Sequence, residues 1–186
     1  MPRPVTHLSL ILVLIAAASY FWNPSSNTPM DLTGHSQHKA LAKTYLTNTR
    51  SWAYDAKGAL AEILEADRAS FYSRKQISEL SMPHFYSHQG NDRTWSAVSD
   101  RGTLYHRAEV LKLDGNVTLS NDQSGAQLET QKMKIYLDTR IAISIAPVLA
   151  TQGLSSSTAD GMVADLGKET ITMAPNVESI YVQPKP

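Results

Sequence analysis

Leu111-Lys112-Leu113-Asp114-Gly115-Asn116-Val117-Thr118-Leu119 decides the fold. Leu111, Leu113, Val117 and Leu119 share one parity, while Lys112, Asp114, Asn116 and Thr118 share the other. Successive side chains of an extended backbone point to opposite sides, so this alternation describes a strand with one dry and one wet face. It is preceded by a shorter segment, Ser99-Asp100-Arg101-Gly102-Thr103-Leu104-Tyr105, and the pair recurs along the chain. The first half of each unit follows a polar residue at Asp67, Asp100, Gln131 and Asp160, in steps of 33, 31 and 29 residues. Two and four positions later come Ala69 and Phe71, Gly102 and Leu104, Met133 and Ile135, Met162 and Ala164. The second half ends near Pro83, Gly115, Pro147 and Pro175, where a missing or strained backbone donor costs no ladder bond. A unit that cannot bury its own apolar face must stack on its neighbours, so the pattern predicts an elongated all-β structure with a continuous apolar seam.

Around this repeat, Ile141, Ile143 and Ile145, like Ile171 and Met173, again fall on one parity. Ala59–Ala69 carries a competing helical spacing at Leu60, Ile63, Leu64 and Asp67. The flanking Tyr54, Phe71 and Tyr72, and its alignment with the later copies, favour strand. The folded domain is expected to begin near Trp52-Ala53-Tyr54, with a turn at Asp55-Ala56-Lys57-Gly58.

The N-terminus reads differently. No residue from Leu8 to Trp22 is charged, and Leu10–Ala18 is wholly apolar. Counted from Val5, a helix of 18 residues would be about 27 Å long, enough for a bilayer core. Arg3 precedes this stretch and no Lys or Arg follows until Lys39, which puts the N-terminus in the cytoplasm and the bulk of the chain outside. Ala16-Ala17-Ala18 also offers a cleavage site for a signal peptide, and both readings export the domain. The expected layout is a cytoplasmic start (1–7), a transmembrane anchor (8–22), a tether (23–50) and a β-domain (51–186).

Composition narrows the function. Lys+Arg and Asp+Glu are both 17 in 186 residues, and this balance argues against a nucleic-acid partner. The absence of cysteine excludes disulfides, thiolate metal sites and lipoprotein acylation. His35-x-x-His38 has no carboxylate close enough to complete a zinc set, His84-x-x-x-His88 follows Pro83 in a stretch that reads as strand and turn, and Ser36-Gln37-His38-Lys39 lies in the tether, away from any rigid shell. Phosphate-loop, dinucleotide and nucleophile-elbow motifs are missing. Carboxylates such as Glu62, Asp67, Asp100 and Asp138 read as solvated wet-face residues. The expectation is a protein without enzymatic activity, metal or cofactor.

What remains is the dry parity: Phe71, Leu104, Leu111, Leu113, Val117, Leu119, Met133, Ile135, Leu137, Ile141, Ile143, Ile145, Ile171 and Met173. Periodicity alone is compatible with a filled sandwich core and with two splayed sheets that admit acyl chains.

At this point the chain resembles the LptC family of lipopolysaccharide transport proteins. The resemblance is carried by Tyr54-Asp55-Ala56-Lys57-Gly58-Ala59-Leu60, Trp95-Ser96-Ala97 with Asp100, Leu113-Asp114-Gly115-Asn116-Val117, Leu149-Ala150-Thr151-Gln152-Gly153 and Val177-Glu178-Ser179-Ile180-Tyr181. It implies a twisted β-jellyroll of two antiparallel sheets over an apolar groove, behind a single inner-membrane anchor. It also implies that lipopolysaccharide arrives from an inner-membrane ABC extractor and leaves for a periplasmic jellyroll bridge protein, handed on by strand addition. The dry-parity residues, Ile141 excepted, would then line the lipid groove, with Gly58 and Gly153 serving partner docking near opposite ends. A free sheet edge would permit a homodimer. Two rivals stay open from the residues themselves: an anchored adaptor with a closed core, and an exported glycan-active enzyme.

Overall fold

The structure, a computed structural model, describes residues 44–89 and 92–182. The expected cytoplasmic start, anchor and most of the tether lie outside these residues. Among the described residues there is no helix long and apolar enough to cross a membrane, and every regular element is a strand. The strands are β1 (Thr44–Tyr54), β2 (Leu60–Tyr72), β3 (Ile77–Ser81), β4 (His84–Gln89) and β5 (Asp92–Val98). There follow β6 (Arg101–Tyr105), β7 (Val110–Asn121), β8 (Gln127–Tyr136), β9 (Ile141–Ser144) and β10 (Val148–Gln152). The chain ends with β11 (Ser155–Ala159), β12 (Met162–Asp165), β13 (Thr170–Met173) and β14 (Glu178–Ile180).

All pairings are antiparallel, and the hydrogen-bonded sheet is continuous. Four long strands fold it into two facing arms. β2 pairs β4 through its first half and β3 through its second. β7 pairs β6 through Val110–Asp114 and β5 through Thr118–Asn121. β8 likewise divides between β10 and β9, and β1 accompanies β2 across the bend. The first arm therefore runs β1-β2-β3-β6-β7-β8-β9-β12-β13, and the second runs β1-β2-β4-β5-β7-β8-β10-β11-β14. The two expected sheets are one sheet bent over a line of corners.

Those corners are the landmarks of the sequence repeat. At Asp67-Arg68 and Gln131-Lys132 two consecutive residues face outward, resetting the parity so that both halves of one strand turn their apolar residues inward. In β7 the corner is a bulge over Asp114–Val117 that leaves the parity unchanged, with Gly115 and Asn116 at φ +81° and +45°. Neighbouring corners are stitched together: Met82 N–H donates to Asp100 O (2.9 Å) and Asp100 N–H to Gly115 O (3.0 Å). Side chains repeat the stitch, Asn116 Nδ2 donating to Asp100 Oδ2 (3.0 Å) and Asn176 Nδ2 to Asp160 Oδ2 (2.6 Å). At the far rim of the first arm stand four-residue turns, each ending in a left-handed residue: Gln76, Glu109, Arg140 and Glu169. Their spacing is again 33, 31 and 29 residues.

The competing helical reading of Ala59–Ala69 is resolved as strand, most of it within β2. One boundary moves. The chain joins the sheet at Thr44, so residues 44–50 belong to β1 and not to the tether. β1 was hidden because it is an edge strand exposed on both faces, with no dry parity to betray it.

Candidate functional site

The inner faces of the arms enclose the seam. Across the first arm one inner row runs Phe71, Ser78, Leu104, Leu111, Ile135, Ala142, Ala164, Ile171, following the strand registers. Across the second arm the matching row runs Leu64, Phe85, Ala97, Leu119, Leu128, Ala150. At the middle of the molecule the rows interlock: Leu111, Leu113, Val117, Leu119 and Ile135 are 0% exposed and Met133 is 1% exposed. Towards the margins the seam loosens. Leu104, Leu137, Ile171 and Met173 are only partly buried against the core, Phe71 is half-buried, and Leu46 on β1 is 52% exposed although it pairs with inner-facing Ala69.

Opposite the line of corners, the rims of the two arms form the lips of this trough. The second arm contributes the row Ala53, Glu62, Ser87, Trp95, Asn121. The first contributes the turns ending at Glu109, Arg140 and Glu169. Near β1 the lips stand apart around a 390 Å³ pocket lined by Ala53, Tyr54, Ala61, Glu62, Leu104, His106, Glu109 and Leu137. His106 is fixed there by Ser78 Oγ at 2.8 Å and by an edge-on Phe71 ring at 5.4 Å.

One step along, the lips touch. Arg140 Nη2 donates to Ser87 Oγ (3.0 Å) and to His88 O. Trp95 Nε1 donates in the other direction, to Leu166 O at 3.1 Å. Leu166 N–H in turn donates to Arg140 O, joining the two turns. Arg140 Nε and His88 Nδ1 are buried without a hydrogen-bond partner among the described residues. Burial pushes the Glu62 carboxyl up to about 7; Arg140 opposes the rise and Glu109 adds to it. Glu62, expected to be a solvated carboxylate, thus faces inward. The signal was its parity, since it shares a face of β2 with Leu64 and Ala66. Ser87, Trp95 and Arg140 carried no such signal, because partners in another strand or turn define their role.

The inner seam gathers most of the expected groove residues, but not Ile143 and Ile145, which share the outward parity of Ile141. Ile135 pairs with Ala142, so Ala142 and Ser144 face inward while Ile143 opposes Lys134 on the outer face. Ile145 is 90% exposed. The turn Leu137–Arg140 sets this register, and small inner residues let the corner polar groups pack: Thr130 Oγ1 lies 3.0 Å from Ser144 Oγ and donates to Pro147 O at 2.9 Å. Ile143 and Ile145 instead form an outer patch with Tyr136 and the stems of Lys112, Lys132 and Lys134.

The two expected docking glycines sit in turns. Gly58 (φ +82°) closes the Asp55 turn, where Asp55 Oδ1 accepts from Lys57 N–H and Ala59 N–H. Gly153 (φ +59°) takes the first place of the two-residue loop between β10 and β11, the glycine position of a type II′ turn. No cluster of potential metal ligands occurs among the described residues.

A family model described as lipopolysaccharide-assembly, LptC-related, matches residues 9–182. A search of curated protein sequences finds no match. Among solved structures the chain is similar to LptH from Pseudomonas aeruginosa, described as the LptA-homologous periplasmic component of the conserved lipopolysaccharide transport device. That superposition has a TM-score of 0.54 at 11% identity and covers 66% of this chain and 95% of the other. At this identity the likeness is one of fold.

Proposed function

Starting from the chain's membership of the LptC-related family of lipopolysaccharide-assembly proteins, we propose that its trough carries the acyl chains of lipopolysaccharide across part of the periplasm. The observation that carries this reading is the graded seam: inner-facing apolar side chains only half covered at Phe71, Leu104, Leu137, Ile171 and Met173. Lipopolysaccharide delivered by an inner-membrane ABC extractor enters near β1, the first strand of the domain. It leaves at the β13/β14 end for a periplasmic jellyroll bridge protein.

Both ends suit strand addition. Among the described residues β1 pairs only with β2, β13 only with β12 and β14 only with β11. Each end bears exposed large apolar side chains, Tyr45 and Trp52 at one, Ile180 and Tyr181 at the other. The same edges would serve a homodimer. No side-chain chemistry is required. An acyl chain gains ~0.8 kcal/mol per buried CH₂ in the trough, as it did in the membrane, so transfer is nearly neutral and its direction comes from the upstream ATPase.

One observation favours a second reading, an adaptor that docks partners without carrying lipid: the centre of the seam is closed. Photo-crosslinking residues placed at Leu104, Leu137 and Met173, with Ile143 as an outer-face control, separate the two. Lipid carriage predicts lipopolysaccharide adducts at the three inner positions and none at Ile143. Adducts at all four, or at none, would leave the adaptor.

A further inference from the structure

We propose that Arg140 and Trp95 are the gating residues of the trough. Their hydrogen bonds across the lips latch the arms together, and the latch must part for an acyl chain to move from the pocket beside β1 towards β13. The inference rests on the lipid-carrying reading and assigns the step that controls passage.

The geometry is reciprocal. Arg140 reaches from the first arm to Ser87 Oγ and His88 O in the second, and Trp95 reaches from the second arm to Leu166 O in the first. Their landing points are neighbours on both sides: Ser87 and Trp95 are paired residues of β4 and β5, and Leu166 N–H is bonded to Arg140 O. The two bonds therefore load the same small area and part together. Among the described residues no other side-chain hydrogen bond spans the lips.

The latch sits where the trough changes character. On its β1 side lies the open pocket with Leu104 and Leu137; beneath it lie the core residues with no exposure. The indole of Trp95, itself 0% exposed, fills the space between the arms at that boundary.

The closed state is also incompletely satisfied, with Arg140 Nε and His88 Nδ1 buried and unpaired. A released guanidinium has a second acceptor within the same row. Glu62 is the β2 partner of Ser87 and lines the pocket on the open side. Because Glu62 belongs to the second-arm row, Arg140 moves towards the open side by exchanging one cross-lip contact for another, and the Ser87 and His88 bonds are given up first.

The chain contains no cysteine, so a Gln89→Cys/Asp138→Cys pair, both at exposed positions beside the latch, gives unique label sites in the full chain reconstituted in nanodiscs. Spin-label distances should show one short population in the parent. Arg140→Gln with Trp95→Phe should add a longer population before any lipid is present. Bridging the same cysteines with a short bis-maleimide should preserve lipopolysaccharide photo-adducts at Leu104 and abolish those at Met173. Unchanged distances in the double variant, or undiminished Met173 adducts under the bridge, would overturn the latch. If the double variant fails to fold, the bridged chain decides, because both residues are intact in it. Lack of adducts at Leu104 in the unbridged chain would instead defeat the lipid reading, and the lipid-free distances would still judge the latch.

Discussion

Glu62 holds a carboxyl between the arms at a cost that depends on pH. Burial raises it to about 7 from an ordinary 4.5, so the folded chain keeps this proton longer than the unfolded chain. The stability it permits is complete below the unfolded value and is lost as pH climbs through the folded one. Denaturant titrations should therefore show the parent weakening between pH 5 and 8, with Glu62→Gln removing about 1 kcal/mol of that decline; partial contact with water keeps the effect below the full linkage value. Equal slopes for the two proteins would show that Glu62 is solvated. Glycines can be ranked in the same way. At Gly115 the backbone is left-handed and a Cβ would stand 2.7 Å from Asp100 Oδ2, whereas at Gly58 a Cβ meets nothing within 4 Å. Gly115→Ala should cost roughly 2–3 kcal/mol by thermal melting and Gly58→Ala about 1 kcal/mol, because only the first adds a collision to the backbone strain.

Strands differ in how clearly their sequences announce them. Leu111–Leu119 was legible because one strand crosses the whole molecule, and its bulge keeps Leu113 and Val117 on the same side. β9 was misread for a local reason: three isoleucines share a parity, yet the preceding turn fixes Ala142 opposite Ile135 and sends the isoleucines outward. Nothing in a single sequence states which parity a turn will select. β1 was missed at its start because it is paired along one side only and its side chains are almost all exposed. Stability should follow the observed faces. Ile145→Lys is expected to change unfolding free energy by less than about 0.5 kcal/mol, and Leu111→Ala to cost roughly 3 kcal/mol. Comparable losses would restore the sequence-based inward face at Ile145. By the same argument Leu113→Arg and Ile135→Asp would report on folding before they reported on lipid, so Leu104 and Met173 are the better probes of cargo.

At the scale of the whole molecule, alternation fixed the presence of a seam and left open whether it was filled. The molecule combines both conditions, filled at the centre and half-open at the margins, and the difference depends on cross-lip contacts that no periodicity encodes. The corner stitches carry a last consequence. Asp100–Asn116 and Asp160–Asn176 bridge the same sixteen-residue interval, and the rim turns recur in near-equal steps. The fold is thus laid in courses, like masonry, and its length is a number of courses. A tandem duplication of residues 101–131, one complete course between corner residues, should find the same bonding above and below it. Such a chain is expected to fold in a single transition and to be longer by small-angle scattering. The span of a periplasmic conduit could then evolve by copying a course, with no new interface to invent.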